Sequence, residues 1–134
     1  AVQAATEPHV WQTRAKYLDD LLPLTSEGHV GRLAYAEALS RASEGRAGDS
    51  AETALGLWAS WWRDLLLVQQ GQAEALLNLD RKTQLIQQAE LFRPEQAQAA
   101  LTDLMRTLRR VRGNVNLRLA LDVLLLRLPR PAVS

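Results

Sequence analysis

Cysteine is absent from the chain, which excludes thiolate catalysis, cysteine-based zinc sites and any disulfide framework, and fits a reducing compartment. Histidine occurs only at His9 and His29, too few for a histidine-rich metal site. No segment reaches the ~20 apolar residues that span a bilayer. The leucine-rich stretch Leu117 to Leu128 is too short, and Arg118, Asp122 and Arg127 interrupt it. The opening residues, AVQAATEPH, carry neither a basic n-region nor an apolar run, so no signal peptide is expected. A phosphate-cradling GxxxxGK[ST] is missing as well. These absences predict a cytoplasmic chain with no bound ATP, metal or other cofactor.

The 134 residues are enough for one hydrophobic core. Residues 1–7 read as a linker, residues 8–130 as a single helical domain and residues 131–134 as a tail. The first residue is Ala rather than Met, so the expectation is a processed chain or a piece cut from a longer protein. Net charge is +1, unevenly spread. Residues 1–102 hold 9 Lys/Arg against 13 Asp/Glu, giving −4, and residues 103–134 hold 7 Arg against 2 Asp, giving +5.

Aromatic residues make up only 5% of the chain, yet three of the four tryptophans fall in the stretch Ala54 to Gln70. At helical spacing Ala51, Leu55, Trp58, Trp62 and Leu65 share a face, which Leu57, Trp61 and Val68 broaden. Such a helix belongs at the centre of a core, and Trp58, Trp61, Trp62 and Leu65 are its expected anchors.

Around it the pattern is helical throughout. Thr6 and Pro8 suggest a first helix with Trp11, Ala15, Leu18 and Leu22 inward, ended by Pro23. A second, firm from His29, would turn Val30, Leu33, Ala34 and Ala38 inward. The polar loop Ser43 to Asp49 follows, with Asp49 or Ser50 as the cap of the tryptophan helix and Gly71 as its terminator. Asp80 is expected to cap Arg81 to Leu91, in which Leu85, Ile86 and Ala89 pack. Pro94 opens a helix with Ala97, Leu101, Leu104, Leu108 and Val111 on one face; Gly113 stops it. Asn114 or Asn116 then caps a last helix, Leu117 to Leu128, apolar on nearly every side and therefore buried or covered by another chain. Leu121 and Leu124 are its expected core residues. The Arg118–Asp122 pair at i, i+4 suits one exposed turn. No stretch alternates long enough for a strand, so the fold class is all-α, an irregular bundle of about six helices.

Candidates for chemistry are few. Asp64, beside Trp61 and Trp62, is the one carboxylate suited to a shifted pKa, although a structural role, held by Arg63 or Arg118 or bonded to a helix end, is the stronger expectation. Ser60 lies one turn from Asp64 with no His nearby in sequence, Asp19 and Asp20 point in adjacent directions, and His9 and His29 read as capping or solvent-facing residues. The arginines Arg106, Arg109, Arg110, Arg112 and Arg118 form the one dense basic group, which makes a helical DNA-binding module using segment 106–118 the alternative reading. That region offers no aromatic side chains for stacking on bases.

Three blocks, Leu57-Trp58-Ala59-Ser60-Trp61-Trp62-Arg63-Asp64-Leu65-Leu66-Leu67, then Leu77-Asn78-Leu79-Asp80, then Asn114-Val115-Asn116-Leu117-Arg118-Leu119-Ala120-Leu121 with its leucine-rich tail, occur in that order. Together they resemble the C-terminal domain of bacterial DNA polymerase III delta-prime subunits, over roughly Tyr17 to Pro129. Leu117 departs from the proline that relatives often carry there. The ATPase-like module and lid domain that precede this domain in the family are not in the sequence. The resemblance implies a non-catalytic collar domain that joins the corresponding domains of the other clamp-loader subunits, gamma/tau and delta, so that the pentamer can place the sliding clamp on primed DNA. Clamp and DNA would be touched only indirectly. Arg63, Leu67, Arg106 and Arg110, outward-facing beside the core, are the interface residues expected.

Overall fold

The computed structural model describes residues 2–44, 49–113 and 116–132. Six α-helices account for most of them: α1 (Val2–Ser26), α2 (His29–Glu44), α3 (Asp49–Gln69), α4 (Lys82–Ala89), α5 (Pro94–Arg112) and α6 (Leu117–Arg127). Two 3-10 turns, Ala73–Ala75 and Leu79–Arg81, bridge α3 and α4. There is no strand among the described residues, and the fold is an all-α irregular bundle.

The tryptophan helix is the hub. α3 packs against α5, α4, α1 and α2, whereas α6 lies mainly on α2 and α5. Trp58, Trp61, Trp62 and Leu65 are all at most 1% exposed. Trp62 stands edge-on to Trp61 and to Phe92, with ring centroids 5.1 Å and 5.0 Å away. Each such side chain removes roughly 150–250 Å² from water, about 4–6 kcal/mol as an upper estimate. The Trp58 indole also donates to the Tyr17 carbonyl at 2.8 Å, fixing α1 on α3. Gly71 ends α3: its φ of +76° allows its own N–H to reach the Val68 carbonyl (3.1 Å) and that of Gln72 to reach Leu67 (2.7 Å), the paired bonds of a Schellman motif.

Several expectations are corrected. α1 starts at Val2, where a linker over residues 1–7 was expected, and it runs through Pro23 to Ser26. Proline removes one helix hydrogen bond, but Leu21, Leu24 and Thr25 on either side of Pro23 are buried, and that packing carries the helix onward. Trp11 is 60% exposed rather than inward; Tyr17, Leu18 and Leu21 form the buried face. In α2 the inward residues are Arg32, Ala36, Leu39 and Ser43, while Val30, Ala34 and Ala38 are exposed and Leu33 is half-buried. Alanines spread around that helix leave hydrophobicity a poor guide to its orientation. Asp80 does not cap α4; it bonds to Arg14, and Ile86 is exposed. At the start of α3, Ser43 Oγ accepts the Ala51 N–H at 3.0 Å, and Ser50 Oγ donates to the Ala42 carbonyl rather than capping the helix. Most of the 43–49 loop, the side chain of Asp49 and Asn114 lie outside the described residues, as do the side chains of Thr6, Pro8 and His9. Asn116 does cap α6, accepting the Leu119 N–H at 3.1 Å. At the C-terminal end, the Ala132 N–H donates to the Leu91 carbonyl at 2.7 Å, so the start of the expected tail is tied to the α4–α5 turn.

Candidate interaction surface

The one carboxylate buried among the described residues is structural. Asp64 is 0% exposed and accepts the N–H of Leu77 (3.0 Å), the N–H of Asn78 (2.7 Å) and the Asn78 side-chain amide (2.8 Å). Arg63 reaches it at 3.5 Å; Arg118 is elsewhere, on Asp122 and Glu37. Ser60 accepts a further bond from Asn78 and donates to Leu57. The Asn78 side-chain oxygen, Oδ1, in turn accepts from Arg14, which forks onto Asp80 at 2.8 and 2.9 Å. That bond holds the Asp80 carboxyl below its ordinary range and raises Arg14. Asp64 thus pins the 76–80 segment to α3, with its lone pairs occupied and no opening to solvent, an arrangement unsuited to proton transfer.

A second buried polar centre, which the sequence reading missed, is Arg32. Its guanidinium, 2% exposed, donates to four carbonyls: Leu125 (2.9 Å), Leu128 (2.6 Å), Thr25 (3.0 Å) and Glu27 (3.0 Å). These carbonyls lie at and just beyond the C-terminal ends of α1 and α6, where the helix dipoles are negative; Leu125 also accepts the Leu128 N–H and Glu27 also accepts from Arg130, whereas Thr25 and Leu128 rely on Arg32. One arginine therefore closes two helices at once. Burial, then the nearby Arg130, lowers its pKa, and the four carbonyls are what hold the charge there. An isolated arginine among alanines gives no sequence signal of such a role.

The remaining polar pairs tie elements together at the surface. Asp19 bonds to Arg81 (2.8 Å), and Asp20 accepts from Lys16 (2.8 Å) and from the Tyr35 hydroxyl (2.7 Å). Burial and the Asp20 bond raise the Tyr35 pKa well above the ordinary phenol value. His29 is exposed at the start of α2. Among the described residues no three His, Asp or Glu side chains come together as a metal-ligand set.

What stands out on the surface is α6. Its inner face buries Leu121, Leu124 and Leu125, and Leu121 and Leu124 are 0% and 2% exposed. Its outer face exposes Leu119 (60%), Val123 (40%) and Leu126 (38%). These sit at i, i+4 and i+7, which aligns them in one stripe along the helix. The apolar ring expected from sequence thus divides into a packed half and an open half. Of the four interface residues expected, Arg106 and Arg110 line a cleft between α5 and α6 together with Val123 and Arg127. Arg63 leans on Asp64 instead, and Leu67 is half-buried against the core.

No protein-family model, curated protein or solved structure matches the chain. No helix of the described residues is long and apolar enough to cross a membrane.

Proposed function

We propose that the domain is a non-catalytic oligomerisation module, of the collar type found in bacterial DNA polymerase III clamp loaders, with its partners the collar domains of the other loader subunits. The observation that supports it is the open stripe Leu119, Val123 and Leu126 on α6. Exposed apolar residues scattered singly are ordinary on any protein surface; aligned on a single helix they make a ready contact face. The delta-prime-like blocks of the sequence support the collar reading, and the structural use of Asp64, buried with the tryptophans and bonded to Leu77 and Asn78, agrees with it.

The DNA-binding alternative is weaker. Arg106, Arg112 and Arg118 each lie against a carboxylate of the domain itself, on Asp103, Glu52 and Asp122, which leaves less of the group free for phosphates. Sizing chromatography with light scattering tests the reading. Mixed with gamma/tau and delta collar subunits from the same source, the domain is expected to elute in a defined hetero-oligomer. Separate elution of every component, with salt-sensitive retention of the domain on duplex DNA, is the result that favours the alternative.

A further inference from the structure

The two edges of the α6 stripe differ in charge. Leu119, Val123 and Leu126 are spaced four and three residues apart, the register of a coiled-coil seam, so a second helix laid along α6 can set its own apolar side chains between them. On the edge towards α5, Arg106, Arg110 and Arg127 line a cleft of about 50 Å³ beside Val123. Asp103 is the one carboxylate lining it, and it is shared by Arg106 at 3.6 Å and Arg127 at 3.4 Å. Arg110 has no carboxylate within ion-pair distance among the described residues, and this edge is left positive. The opposite edge is balanced: Arg118 reaches Asp122 at 3.0 Å and Glu37 at 3.7 Å, and Arg41 reaches Glu37 at 3.2 Å.

We propose that this face receives a helix of a different protein that is apolar along the seam and acidic along the flank overlying α5, with one carboxylate entering the cleft between Arg106, Arg110 and Arg127; this rests on the oligomerisation reading above. The cleft, about 50 Å³, has room for more than one water molecule, each of which needs ~10–15 Å³ of such space, and so can admit a small polar group such as a carboxylate. A second copy of the domain lacks the required charge. A two-fold axis that runs two α6 helices antiparallel opposes arginine edge to arginine edge, and one that runs them parallel opposes the arginine edge to the balanced one. A nucleic acid supplies negative charge but leaves the three apolar side chains facing phosphate and water. A helix with an acidic flank satisfies both halves of the surface.

The test uses two labelled helical peptides with leucines at the seam positions, one with glutamates and one with lysines on the flank, titrated against the domain by fluorescence anisotropy. The glutamate peptide is expected to bind at least about tenfold tighter, by a margin that narrows as salt is raised. Arg110→Glu leaves Arg106 and Arg127 balanced by Asp103 and the new carboxylate, and is expected to abolish that preference. The double variant Leu119→Ser, Leu126→Ser is expected to lose both peptides while keeping its thermal midpoint, because both side chains are exposed. Equal binding of the two peptides, or a preference that Arg110→Glu leaves in place, overturns the proposal. So does a homodimer of the domain that Leu126→Ser disperses, which would make a second copy the occupant. Co-elution with the loader subunits that survives the double serine variant removes the acidic helix from α6 and leaves the oligomerisation reading standing; absence of any co-elution removes that reading itself.

Discussion

At the scale of single residues, the polar groups that matter most are those that close helices. Arg32 satisfies carbonyls of Thr25, Glu27, Leu125 and Leu128, and leaving a buried acceptor without a partner costs about 1–3 kcal/mol. The carbonyls of Thr25 and Leu128 have no other donor, so Arg32→Met is expected to lower unfolding free energy by at least ~2 kcal/mol in urea titration, and Arg32→Lys, with three donors in place of a planar fork, to recover only part of it. A loss below about 1 kcal/mol would mean that water replaces the guanidinium freely. Tyr35 makes a prediction of opposite character. Its folded pKa is raised by burial and by the bond to Asp20, so the neutral phenol is favoured in the folded state. Its contribution is complete below the unfolded phenol value near pH 10 and is lost as pH rises beyond it, by up to ~1.4 kcal/mol per pH unit. Tyr35→Phe should flatten the alkaline limb of a stability–pH curve; an unchanged slope would place that titration elsewhere.

At the scale of elements, α3 contains Gly56 and is ended by Gly71, and replacing these two glycines should act in opposite directions. Gly56 lies within the helix, and a Cβ there meets nothing within 4 Å, so Gly56→Ala should add about 0.5–1 kcal/mol through the unfolded chain and helix propensity. Gly71 has equal space but a φ of +76°, so Gly71→Ala should cost about 1–2 kcal/mol. Thermal melts of the two variants check both signs; equal shifts would contradict the C-cap geometry. The elements that sequence periodicity located well are those whose apolar residues are large and one-sided: α3 with its tryptophans, and α5 with Ala97, Leu104 and Leu108 buried. α2 was misread because small alanines populate every side and its orientation is set by Arg32, whose partners lie 93 and 96 residues away in α6 as well as nearby. The end of α1 was misread because Pro23 is a local signal that the burial of Leu24 and Thr25 overrides. For α6 the sequence pattern left two outcomes, burial or coverage by another chain, and the structure divides the helix between a buried half and an exposed one.

At the scale of the whole molecule, the described surface has no convergent set of catalytic groups, a core centred on α3, and one helix whose outer stripe is apolar. Among the described residues, open grooves of about 380–400 Å³ lie between α1 and α2, between α3 and α4, and between α1 and α3. On the reading proposed above the domain is a rigid body that offers a helix face, and assembly is the activity to measure. Hydrogen exchange followed by mass spectrometry, on the domain alone and mixed with gamma/tau and delta collar subunits, tests this most directly, because amides at a covered helix exchange more slowly than at a free one. Slowing is expected across Leu117–Arg127 and the adjoining end of α5, with α4 unchanged. Exchange in α6 that is the same with and without those subunits would contradict it.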